Sequence, residues 1–155
     1  MRNRTKALLA ALVVAITCVW QAQAQSKPNV TGTWNMNLAK SKFAEGGPQK
    51  ISIKFEQKDA SLQEWLTIGG GQGERTLELT YKLDGSQNAA QIEGQDIKTT
   101  AKWEGDSLVI VITDPNGGTF SRKFTMAEGG KAMTIAVRQT GPNGNKDDTV
   151  FLEKQ

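Results

Sequence analysis

The sequence contains no histidine, and that absence narrows its chemistry more than any residue present. Without imidazole there is no Ser-His-Asp or Cys-His catalysis and no ordinary zinc or haem site. Cysteine is almost as scarce. The one cysteine, Cys18, falls in an amino-terminal leader, so the chain beyond it has no disulfide and holds together by burial alone. An excess of one charge is also lacking. The full chain carries +3, but Arg2, Arg4 and Lys6 of its 19 basic residues belong to the leader, leaving 16 against 16 acidic ones. The basic character is a property of the leader, and the usual inference toward nucleic acid or an anionic membrane fails. Past the leader there is no run of like charge, no internal repeat and no sustained i, i+3, i+4, i+7 apolar stripe, which excludes a long amphipathic helix.

What is there begins with that leader. Arg2, Arg4 and Lys6 form a basic region, residues 7–16 an apolar one, and Ala22-Gln23-Ala24 a small-x-small cleavage site. The apolar run is too short to span a bilayer comfortably. The expectation is a signal peptide over 1–24 and a single domain over 25–155, exported to the periplasm or outside the cell, with no membrane span after cleavage. Lipidation at Cys18 is disfavoured, because Thr17 stands where the cleavage site prefers a smaller residue.

The remainder reads as strands. Ile51, Ile53 and Phe55 alternate with Ser52, Lys54 and Glu56; Leu77, Leu79, Tyr81 and Leu83 alternate with Thr76, Glu78, Thr80 and Lys82. Phe120, Phe124 and Met126, then Met133, Ile135 and Val137, repeat the period-2 pattern. Glycine-bearing turns such as Asp84-Gly85, Glu93-Gly94 and Glu104-Gly105-Asp106 separate them at hairpin spacing. Gly69-Gly70-Gly71-Gln72-Gly73 lacks the Lys-Ser/Thr and following helix of a phosphate loop, so it reads as a hairpin tip. About eight to ten strands joined by tight turns predict an all-β, antiparallel up-and-down meander, closed into a barrel to remove its exposed edges, with a flattened sandwich as the alternative. A short helical turn fits near residues 39–44.

Gly32-Thr33-Trp34 on the first strand resembles the opening of lipocalins and fatty-acid-binding proteins, the calycin group. Lys102-Trp103-Glu104-Gly105-Asp106-Ser107-Leu108-Val109 resembles a hairpin of the fatty-acid-binding branch. Together with residues 120–135 and 32–43, the chain is similar to small secreted lipocalin-like bacterial proteins. The resemblance implies a barrel that carries a small apolar ligand. Three departures stand against a simple transfer, the first being that the helix pair capping the fatty-acid-binding barrel has no room between Leu38 and Ile51. The Arg-x-Tyr that holds a fatty-acid carboxylate is replaced by Thr149-Val150-Phe151, and no arginine follows Arg138 to pack over the first-strand tryptophan.

The apolar phase predicts an inward face that includes Trp34, Met36, Leu38, Phe55, Leu62, Leu66, Tyr81, Trp103, Phe120 and Phe124. An interior of this size is either filled by side chains or holds one small ligand. Arg122 shares the inward phase. It is either an anchor for a ligand carboxylate or, as is commoner, a rim residue with its head in water. Glu64 also has that phase; it either pairs with Arg122 or, the reading favoured here, turns outward at a register break near residues 63–65. The leading expectation is a non-enzymatic carrier of a small apolar or amphipathic molecule, held by Trp34, Phe55, Tyr81, Phe120 and Phe124 with its polar end near Arg122. The alternative is a filled-core envelope module that binds protein or glycan through Trp65, Val109 and Val111. Neither reading calls for a catalytic residue, a metal, a cofactor or nucleic acid.

Overall fold

The structure is a computed structural model and describes residues 27–142 and 144–155. The expected signal peptide, its cleavage site and Cys18 lie outside the described residues. Ten strands follow one another: β1 Gly32–Met36, β2 Lys50–Lys58, β3 Ser61–Gly70, β4 Gly73–Lys82, β5 Asn88–Ile92, β6 Gln95–Glu104, β7 Ser107–Thr113, β8 Thr119–Ala127, β9 Ala132–Gly141 and β10 Gly144–Lys154. They form one antiparallel sheet in the order β4-β3-β2-β1-β10-β9-β8-β7-β6-β5. The first strand therefore pairs with the last, Trp34 standing opposite Lys154, and the sheet curls into a nearly closed barrel.

Local chemistry accounts for the hairpins. Between β5 and β6 the two turn residues Glu93 and Gly94 have φ of 52° and 81°, as a primed two-residue turn requires. The glycine-rich stretch 69–73 is the tip of the β3–β4 hairpin, Gly70 pairing with Gly73. The barrel does not close through backbone hydrogen bonds at β4 and β5. There the strands are joined by side chains: Asn88 Nδ2 donates to the Thr80 carbonyl at 3.1 Å, and Arg75 Nη1 meets Glu93 Oε1 at 3.2 Å.

One correction concerns the first connection. The sequence places Leu38 inward, but β1 ends at Met36 and Leu38 opens a 3-10 turn over Leu38–Lys40, where it is 52% exposed. Asn37 caps that turn by accepting from Lys40 N at 3.2 Å. The chain then runs without regular structure to β2 and crosses one end of the barrel. It is pinned to β10 by the reciprocal 2.7 Å bonds of Lys42 and Thr149 and by Ala44 N donating to Asp148 Oδ1 at 2.8 Å.

The interior is filled in one half. Trp34, Phe55, Leu62, Leu108, Met133 and Leu152 are each 0% exposed, and the rings of Phe55 and Phe124 meet edge to face at 5.5 Å. Trp34 Nε1 donates to the Val30 carbonyl at 2.9 Å, closing this end. The missing arginine has a substitute: Lys154 Nζ lies 5.1 Å from the Trp34 ring centroid.

Candidate functional site

The other half of the interior is not filled. A cavity of about 440 Å³ opens there, walled by apolar residues one or two rows further along the same strands. Ile51 comes from β2, Leu66 and Ile68 from β3, Leu77 and Leu79 from β4, and Ile112, Phe120 and Val137 from β7, β8 and β9. All but Leu79 are only half-buried, because their inward faces border open space. Phe43, Gly46, Gly47 and Pro48 of the crossing segment edge the cavity, with the Phe43 ring packed against Gly47.

An ion pair spans the interior between the filled half and the cavity. Register explains its position. In β3, Glu64 stands opposite Phe55 on β2 and Leu79 on β4, so an unbroken period 2 turns its carboxylate inward. In β8, Arg122 stands between Ile110 and Val137 and points into the same space. Arg122 Nη1 donates to Glu64 Oε1 at 2.5 Å and Nη2 to Oε2 at 2.7 Å, a bidentate fork. Tyr81 completes the group: its hydroxyl donates to Glu64 Oε2 at 2.7 Å and accepts from Arg122 Nη2 at 3.0 Å. Glu64 is 0%, Tyr81 1% and Arg122 3% exposed. Two favoured expectations are thereby corrected. β3 has no register break, so Glu64 does not turn outward, and Arg122 is not at the rim.

Burial alone would lower the Arg122 pKa, but the facing Glu64 carboxylate and the Tyr81 hydroxyl outweigh it and raise the net value, so the guanidinium stays charged. Burial pushes the Tyr81 phenol well above its ordinary 10.0; Arg122 opposes that shift and Glu64 adds to it. The guanidinium carbon also lies 5.2 Å from the Phe124 ring centroid and 5.8 Å from that of Phe120. Its Nε–H is buried and has no hydrogen-bond partner among the described residues. Arg122 lines the cavity.

The structure thus divides the expected ligand residues. Phe120 and Arg122 are on the cavity wall, whereas Trp34, Phe55, Tyr81 and Phe124 are packed in or next to the filled half, away from the open space. The sequence reading overlooked the crossing segment, with Phe43 and Pro48, and overlooked Gln139, Lys146 and Asp148 at the open end. The half-polar alternation of β10 was the available signal for the last two. Trp65, Val109 and Val111 lie on outer faces, each half-buried, but not in one patch: β3 and β7 are not neighbours in the sheet. Lys54 Nζ covers the Trp65 ring at 4.5 Å. Among the described residues, no helix is long and apolar enough to cross a membrane.

The architecture is that of a calycin-like barrel of the fatty-acid-binding type. The chain is similar to secretory abundant heat soluble protein 4 from Ramazzottius varieornatus, with TM-score 0.62 and 14% identity over 85% of this chain and 99% of that one. It is similar to a Schistosoma mansoni fatty acid binding protein in complex with arachidonic acid (TM-score 0.58, 12% identity, 81% and 96% covered). A third similar structure is lipid binding protein 8 of Caenorhabditis elegans, at TM-score 0.59, 7% identity and 81% and 94% coverage. At these identities the likeness concerns the fold. No protein-family model and no curated protein matches the sequence.

Proposed function

We propose that the chain is a non-enzymatic carrier of a small apolar or amphipathic molecule, exported to the cell envelope or beyond. The observation that carries this reading is the 440 Å³ apolar cavity with a buried arginine on its wall. That volume falls within the range of about 300–1,000 Å³ typical of small-molecule sites, and apolar walls with a few fixed polar groups are what such sites share. Two similar barrels are named for fatty acid or lipid binding, which supports the same ligand class. Export is supported by the leader composition.

The ligand body would lie among Leu66, Ile68, Leu77, Ile112, Phe120 and Val137, where removal from water supplies about 25 cal/mol per Å² of apolar area. Its polar end would face Arg122. Native mass spectrometry of protein purified from its own source tests this directly, with a co-purifying lipid expected. A filling variant gives the control: Leu77→Trp should abolish binding of an apolar fluorescent probe while the fold persists. Absence of any bound lipid, together with probe binding unchanged in Leu77→Trp, would overturn the carrier reading.

A further inference from the structure

We infer that the cavity selects ligands with an uncharged, acceptor-bearing head, such as an ester, amide or aldehyde, over free carboxylates. The inference rests on the carrier reading and concerns the chemistry of the ligand. Its basis is that each cation on the cavity wall already has a carboxylate. Arg122 is forked onto Glu64 at 2.5 and 2.7 Å, deep in the barrel. Lys146 Nζ lies 4.0 Å from Asp148 Oδ2 and 3.2 Å from the Glu45 carbonyl. Arg75, at the mouth, is matched with Glu93 at 3.2 Å. The wall therefore offers no unbalanced positive charge.

A carboxylate entering this space would be a second anion on an arginine that Glu64 has already neutralised. Two carboxylates sharing one cation in a dry site cannot both remain ionised cheaply; one must take up a proton or stay in water. Surrounding water is a poor remedy, because Phe120 and Phe124 flank the guanidinium. A neutral carbonyl brings no such conflict. It needs one donor, and Arg122 Nε–H is a buried donor with no acceptor among the described residues. Pairing that donor removes the cost of leaving it unsatisfied.

The test is a matched panel of dodecanoate, methyl dodecanoate and dodecanamide, measured at neutral pH by displacement of an apolar fluorophore from protein expressed from the complete sequence. The ester and amide should bind about tenfold or more tightly than dodecanoate. Dodecanoate binding equal to or tighter than the ester would overturn the inference and leave the carrier reading standing. Failure of all three to bind would overturn both. Glu64→Gln supplies an independent arm, since it frees the arginine's charge without removing its shape. Where this variant folds, dodecanoate affinity should rise about tenfold relative to the ester. An unchanged ratio would overturn the inference; should the variant not fold, the wild-type panel decides it.

Discussion

At the scale of single residues, the Glu64–Arg122–Tyr81 group is the feature on which the interior turns. Taking both charges out of water is costly, and the fork and the tyrosine hydroxyl offset that cost. Removing one partner should therefore destabilise more than removing both. Arg122→Met or Glu64→Leu alone should cost about 3–5 kcal/mol, against a small-domain stability of about 5–15 kcal/mol. The double variant should recover most of that loss. A denaturant double-mutant cycle measures the difference, and additive losses would contradict it. Tyr81 offers a second handle because it is the sole tyrosine of the sequence. Its pKa is raised in the fold, so the neutral phenol contributes stability that is fully present below pH 10 and lost as pH rises through the folded value. Phenolate absorbance should stay absent well above pH 10 and then appear together with unfolding. A smooth titration near 10 in the folded protein would show that the hydroxyl is not buried as described.

Elements explain what could and could not be read from the sequence. Strands β2, β4, β8 and β9 were legible because period 2 is a local property, and a two-residue turn such as Glu93-Gly94 announces itself. Leu38 was misplaced because alternation continues in the letters after the strand has stopped at Met36. Glu64 was misplaced because its partner is 58 residues away. A single sequence shows an inward-phased acid and an inward-phased base, but the closure of the barrel is what brings them within hydrogen-bonding distance. The crossing segment was illegible for a related reason: it has no period, and its anchors are backbone bonds to Thr149 and the Asp148 carboxylate. Its glycine makes it testable. A methyl group on Gly47 would collide with the Phe43 ring, so Gly47→Ala should displace that ring from the cavity mouth. Stopped-flow exchange of a bound apolar probe should become faster, with overall stability changed little because the segment is largely exposed. Gly32 in β1 is different in kind. Its φ of 137° is one that L side chains avoid, so Gly32→Ala should lower stability by about 1–2 kcal/mol even where Lys154 moves aside.

On the scale of the whole molecule, the barrel is a continuous hydrogen-bonded ribbon with two ends rather than a ring. β1 and β10 lie side by side in its middle, and the two ends, β4 and β5, face one another across the gap. Among the described residues, the Asn88–Thr80 hydrogen bond joins these strands and the Arg75–Glu93 pair ties β4 to the turn after β5; that pair is exposed, where ion pairs contribute about 0–1 kcal/mol. β5 is also short, at five residues, and has one ladder, to β6. Local opening should therefore start there, since fraying requires the loss of few buried contacts. Amide hydrogen exchange should be fastest in β5 and in the unpaired amides of β4, and slowest in β8, β9 and β10, each of which is held on both sides. The cavity sharpens this expectation, because Leu77 and Leu79 of β4 and Ile92 of β5 form part of its wall. A ligand seated there would tie the two ends through apolar contact. Saturation with methyl dodecanoate should slow exchange in β4 and β5 more than in β9. A uniform slowing would mean that binding stabilises the barrel as one cooperative unit, and the gap would then not be its weak seam.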